Sequence, residues 1–122
     1  MLSKKMQAAL NEQINAELFS AYVYLAMSAH CEAQNLPGFA AWLRRQAREE
    51  VAHAMKIFDF VTDRDGRVAL AAVPQPAASY KTPLAMWTKV LEHERHVSAL
   101  INDLYALAVK ESDYAAQAML QW

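Results

Sequence analysis

Trp42-Leu43-Arg44-Arg45-Gln46-Ala47-Arg48-Glu49-Glu50-Val51-Ala52-His53-Ala54-Met55-Lys56 contains the reading that decides the fold. Leu43, Gln46, Glu50, His53, Ile57 and Phe60 recur at steps of three and four, which places them on one face of a helix. Pro37 suits the first turn of that helix, where its missing N–H costs nothing, and Asp65-Gly66 closes it after about Arg64. The anomaly is Glu50, an acidic side chain at the midpoint of a stripe that should bury apolar groups, with His53 one turn further along the same face.

The same pattern extends in both directions. From about Ser3 to Gln34 the residues Leu10, Ile14, Ala21 and Tyr24 form the apolar face of a first helix, which Asn35 ends, and Glu17 lies in that face. A third helix opens with Thr82 as N-cap and Pro83 behind it. Its stripe is Leu84, Trp87, Leu91, Glu94, Ser98, Ile101, Tyr105 and Ala108, and Ser112 or Asp113 then caps a fourth helix. Only two glycines and four prolines interrupt the 122 residues, so the chain is expected to be all-α, a single domain over 1–122. The stretch around Val73-Pro74-Gln75-Pro76, between the second and third helices, is too long for a tight helical hairpin. A second helix of about 27 residues spans roughly 40 Å, and an extended segment of this length reaches about 55 Å. The segment can therefore return the chain to the starting end and set helices two and three parallel, as in a four-helix bundle with one long crossover.

Composition narrows the function. A formal net charge of −1 and a pI near 6.4 leave no excess of basic residues for a nucleic-acid or membrane partner. Cys31 is the only cysteine, which excludes an intrachain disulfide and a cysteine-rich metal cluster. With no signal-peptide pattern and no run of eighteen apolar residues, a cytoplasmic protein is expected.

A helix midpoint lies at the same height whichever way the helix runs, so Glu17, Glu50 and Glu94 converge at mid-bundle, joined by His53. Three ionised carboxylates buried together would cost many kcal/mol unless they took up protons or shared a multivalent cation. An oxygen-rich set with one imidazole suits iron or manganese, and Glu-x-x-His on one helix with single Glu residues from facing helices is the di-iron carboxylate arrangement. Glu49 lies off the stripe and reads equally as a surface partner of Arg45 or as an accessory ligand. Tyr24 reads as a hydroxyl serving a ligand carboxylate or as a core tyrosine. His30, His93 and His96 are expected at the surface or an interface, Cys31 as a packed thiol, and the six methionines as filling.

These residues resemble the bacterial non-haem ferritins, over the entire chain. Asn11-Glu12-Gln13-Ile14-Asn15-Ala16-Glu17-Leu18 is similar to the family's first-helix ligand segment, followed by Ala26-Met27-Ser28-Ala29, and Trp42 to Lys56 to its second-helix signature. The resemblance implies that Glu17, Glu50 and His53 hold a first iron, that Glu50 bridges, and that Glu94 serves a second. It places Tyr24 beside the site and assigns Glu49 to an auxiliary third position. It further implies oxidation of Fe(II) by dioxygen or peroxide, a ferroxidase activity, with two irons per site and storage of ferric mineral in a shell of twenty-four self-associated subunits. Haem-binding relatives carry a Met directly after the bridging Glu; Val51 stands there, so no haem is expected. The family's fourth helix continues well beyond this point, supplies a Gln and further Glu ligands, and precedes a fifth helix. Here a helix starting near Ser112 needs about fourteen residues, ~21 Å, to reach mid-bundle height, and the sequence ends at Trp122. The fourth helix is thus expected to be incomplete and the fifth absent, which leaves a catalytically impaired shell component as the alternative reading. A peroxide-reducing rubrerythrin relative is disfavoured, because the sequence has neither a second Glu-x-x-His nor Cys pairs.

Overall fold

The computed structural model describes residues 1–122 and is all-helical: α1 Lys4–Ala33, α2 Pro37–Asp63, α3 Pro83–Lys110 and α4 Tyr114–Met119. Local chemistry sets these limits. The hydroxyl of Ser3 accepts from Met6 N–H at the start of α1, that of Thr82 from Ala85 N–H at the start of α3, and the carboxylate of Asp113 from Ala116 N–H at the start of α4. Pro37 and Pro83 occupy first turns, as the sequence predicts. The three long helices end alike: Asn35, Asp65 and Ser112 take left-handed φ values of 58°, 58° and 53°. The residue after each donates its N–H back across the last turn, Leu36 to Cys31, Gly66 to Val61 and Asp113 to Ala108. At the end of α2 the left-handed position thus belongs to Asp65. Gly66 answers a different need, since an added Cβ would lie 2.8 Å from Leu2 Cδ2 and 2.9 Å from the Val61 carbonyl oxygen.

Trp87 of α3 stacks edge-on against Phe39 and Trp42 near the start of α2, while Arg64 at the end of α2 pairs with Asp113 just beyond α3. Helices α2 and α3 are therefore parallel, joined by a crossover over residues 64–82, and α1 packs chiefly on α2. Three polar side chains at four-residue spacing on α1 guide the crossover. Gln7 accepts from Arg67 N–H, Asn11 donates to the Arg67 carbonyl and accepts from Ala69 N–H, and Asn15 donates to the Ala72 carbonyl. These contacts satisfy backbone groups that a non-helical segment cannot satisfy itself.

The apolar core comes in two parts. One holds Met6, Leu10, Ile14, Ala54, Ile57, Val61, Leu104 and Ala108; the other holds Val23, Tyr24, Met27, Leu43, Ala47, Met86 and Val90. The α1 stripe is buried as its spacing predicts; in α2 Leu43, Glu50 and Ile57 are buried while Gln46, His53 and Phe60 are only partly so, and the α3 stripe is corrected. Leu84 and Leu91 are exposed, and Met86, Val90 and Leu104 join Ala108 in the buried line. Apolar residues cover more than half the circumference of this helix, so three-four spacing fits two parallel stripes, and only packing against α1 selects one.

Candidate metal centre

The belt between the two apolar halves is polar: Gln13, Glu17 and Ser20 from α1 and Glu50 from α2 are all buried. Glu17 is 1% exposed, because its position one turn beyond Ile14 aims it straight between the helices. Its Oε1 accepts from Gln13 Nε2 at 3.2 Å, and its Oε2 is buried with no hydrogen-bond partner. His53 Nδ1 lies 3.8 Å from that orphaned oxygen and 3.4 Å from Glu50 Oε2. Donor atoms of Glu17, Glu50 and His53 all fall within 4.8 Å of one another.

Burial first, and the facing Glu50 carboxylate second, push the Glu17 carboxyl from 4.5 up to about 8. Glu50 is likewise raised, by burial and then by the charges of Glu94 and Glu49, although its contact with Glu17 works the other way. A cation relieves this crowding. Bonds of ~2.1 Å to imidazole nitrogen and carboxylate oxygen separate donors by about 3 to 3.5 Å at right-angled or tetrahedral geometry, close to the spacings observed. The donor set and the orphaned oxygen therefore fit a divalent metal ion.

Glu94, partly buried, lies across the cleft. It accepts a short hydrogen bond from the Tyr24 hydroxyl, and it lines an opening of about 240 Å³ with Glu17, Glu50, His53, Ser98 and Trp122. Burial and the bond to Glu94 raise the Tyr24 phenol well above its ordinary range, so it remains a donor. Tyr24 thus combines a fully buried ring with a hydroxyl bonded to a carboxylate. Glu49 is exposed on α2 and pairs with neither Arg45 nor any other cation.

Three contributors escape the sequence reading. His93, expected at the surface or an interface, is half-buried between α1 and α3. Its Nε2 lies 2.6 Å from Ser20 Oγ, and its ring packs edge-on to Phe19 and Tyr24. Ser20 Oγ also lies 3.0 Å from the Ala16 carbonyl oxygen, so an imidazole with hydrogen on Nε2 satisfies both contacts at once. Burial holds His93 below its ordinary pKa, which keeps it a neutral strut between α1 and α3 beside Glu94. Gln13 is the second, fixing Glu17 Oε1. Trp122 is the third, its ring stacked on His53 at 5.3 Å and 22° with Lys56 Nζ 4.9 Å from its centre. A polar side chain one turn from a buried carboxylate signals Gln13 in principle, whereas the contacts of His93 and Trp122 cross between helices and leave no local trace.

A model of the ferritin-like domain matches residues 7–122. The chain belongs to the ferritin family. Among curated relatives of this ferritin, the bacterial non-heme ferritin of Bacteroides fragilis (strain 638R) is 40% identical over 120 residues, covering 98% of this chain and 76% of the relative. That of Campylobacter jejuni is 38% identical over 122 residues, covering 100% of this chain and 73% of the relative. Among solved structures, an open pore ferritin from the hyperthermophilic archaeon Archaeoglobus fulgidus superposes with a TM-score of 0.98 at 48% identity, over all of this chain and 75% of that one. No helix of this ferritin is long and apolar enough to cross a membrane.

Proposed function

We propose that this chain stores and detoxifies iron. Fe(II) binds at Glu17, Glu50 and His53, with Glu94 serving a second ion and Glu49 an accessory one, and Fe(III) is laid down as mineral inside a shell of twenty-four copies in the cytoplasm. The observation that carries the reading is the orphaned Glu17 Oε2, buried beside a second carboxylate and an imidazole at metal-ligand spacing. The family's iron-storing relatives support it. Hard carboxylate oxygens favour Fe(III) over Fe(II) and so make oxidation downhill. Two ferrous ions supply the two electrons that reduce dioxygen to peroxide, or peroxide to water.

The protein's own groups do the positioning. Gln13 turns Glu17, the Tyr24 hydroxyl restrains Glu94 at the rim of the cleft, and the His93–Ser20 contact holds α3 in register with α1. Val51 offers no ligand atom, and the reading includes no haem. Stopped-flow oxidation of Fe(II) tests the proposal: Glu50→Ala is expected to abolish the rapid phase. A wild-type initial rate in Glu50→Ala would refute the site. A wild-type protein as slow as Glu50→Ala would leave a binding shell component without ferroxidase activity.

A further inference from the structure

Away from the carboxylate belt, the end of the bundle where α1 finishes and α3 begins carries donors of the opposite chemical character. Cys31 is fully buried and Met86 is 1% exposed. Cys31 Sγ lies 3.5 Å from Met86 Sδ, its one hydrogen-bond partner. Both sulfurs border a cavity of about 250 Å³ that His30, Gln34, Leu36 and Tyr80 also line. We propose that this cavity is a binding site for a soft monovalent d10 cation, Cu(I) or its analogue Ag(I), held by Cys31 Sγ and Met86 Sδ with the His30 imidazole as third donor.

Thiolate and thioether sulfur select soft ions, and imidazole accepts copper, whereas the hard carboxylate oxygens that attract iron are missing from this cavity lining. Charge balance points to the monovalent ion. One thiolate and one M(I) sum to zero, while a divalent ion would leave a net positive charge beside Lys81 at the same cavity. The geometry requires little movement. Bonds of ~2.3 Å to two sulfurs at 120° hold them about 4 Å apart, so the pair must open by about half an ångström, well within the reach of a flexible methionine. The hydrogen bond given up, S–H to a thioether, is among the weakest a side chain makes. Burial, and secondarily Glu32, raise the Cys31 thiol, so it keeps its proton until the cation displaces it, and binding releases one H⁺ per ion. Cys31 lies fourteen residues beyond Glu17 on α1, about 21 Å along the helix, so the two centres are independent.

The test is an anaerobic titration of the intact, reduced, metal-free protein with Cu(I) against a chromogenic Cu(I) chelator, repeated with Ag(I) by native mass spectrometry. The wild type is expected to withhold one equivalent per chain and release one proton as it binds. Cys31→Ser should surrender all of it. Met86→Leu, a swap that conserves volume, should weaken binding by at least the roughly tenfold that the loss of even an outer partner of a ligand costs. Both variants should oxidise Fe(II) at the wild-type rate. A wild type that yields all its Cu(I) to the chelator overturns the site, as does Met86→Leu holding the ion as tightly as wild type. Should Cys31→Ser fail to fold by circular dichroism, the Met86→Leu comparison decides alone.

Discussion

Glu17→Gln keeps the shape of the side chain and removes the charge that the belt accommodates worst. A carboxyl raised from 4.5 to about 8 by folding favours the protonated form in the native state. Its stabilising contribution is present at low pH and is lost progressively as pH rises from the unfolded value through the folded one. At about 1.4 kcal/mol per tenfold in proton affinity, that rise corresponds to at most about 5 kcal/mol above pH ~8, less whatever proton sharing with Glu50 recovers. Urea denaturation of metal-free protein in chelator, between about pH 5 and about pH 9, should show wild-type stability falling across this window while Glu17→Gln stays nearly level. The variant should be the more stable by several kcal/mol at the alkaline end. A divalent metal then narrows the gap: ligand at a hundred times its Kd adds about 2.7 kcal/mol to a protein that binds it, and the variant has lost one of the donors. Parallel pH curves for the two proteins would refute the claim that Glu17 is buried against like charge without compensation.

Because Glu94 stands outside the tight group of Glu17, Glu50 and His53, calorimetric Fe(II) titration should resolve one tight and one weaker event; two equal affinities would contradict this division. Asp113 caps α4 and pairs with Arg64. Burial alone would raise its carboxyl, but the guanidinium and the Ala116 N–H outweigh burial and hold it below its ordinary 3.8. Asp113→Ala should cost about 2 kcal/mol at neutral pH, a difference present above pH ~4 and lost as pH falls through the depressed native value; urea midpoints read at both pH values check it. Asn11→Ala removes both hydrogen bonds to the crossover, about 1–2 kcal/mol. Hydrogen exchange should then find the Ala69 amide unprotected while the core amides of α1 stay protected, and unchanged Ala69 exchange would refute the role of Asn11.

Much of this was legible from residue order. Thr82-Pro83 and Pro37 mark helix starts because capping and proline act within one turn, and the acidic positions Glu17 and Glu50 stand out as charges at the midpoints of mainly apolar helix faces. The orientation of α3 was not legible. Leu84 and Leu91 continue the Glu94 stripe as well as Met86 and Val90 continue the line through His93, and the choice rests on contact with α1 that periodicity does not encode. The contact of His93 was hidden for the same reason, since its partner Ser20 lies seventy-three residues away. Asp65-Gly66 is legible as the close of α2, but not which of the two takes the left-handed conformation. Both residue types favour such a turn, and only the packing of Leu2 and Val61 against Gly66 shows that Asp65 takes the left-handed position while Gly66 serves close approach.

Glu17, Glu50 and His53 all belong to two neighbouring antiparallel helices whose connection is only Gln34–Leu36, whereas Glu94 arrives on a helix that first requires residues 64–82 to close a much wider loop. Loop-closure entropy and contact order favour the nearer pairing. On the proposed metal reading, a first ion would find all three of its donors on this hairpin alone, and would neutralise the repulsion that otherwise opposes docking of the two carboxylates before the remainder of the bundle is in place.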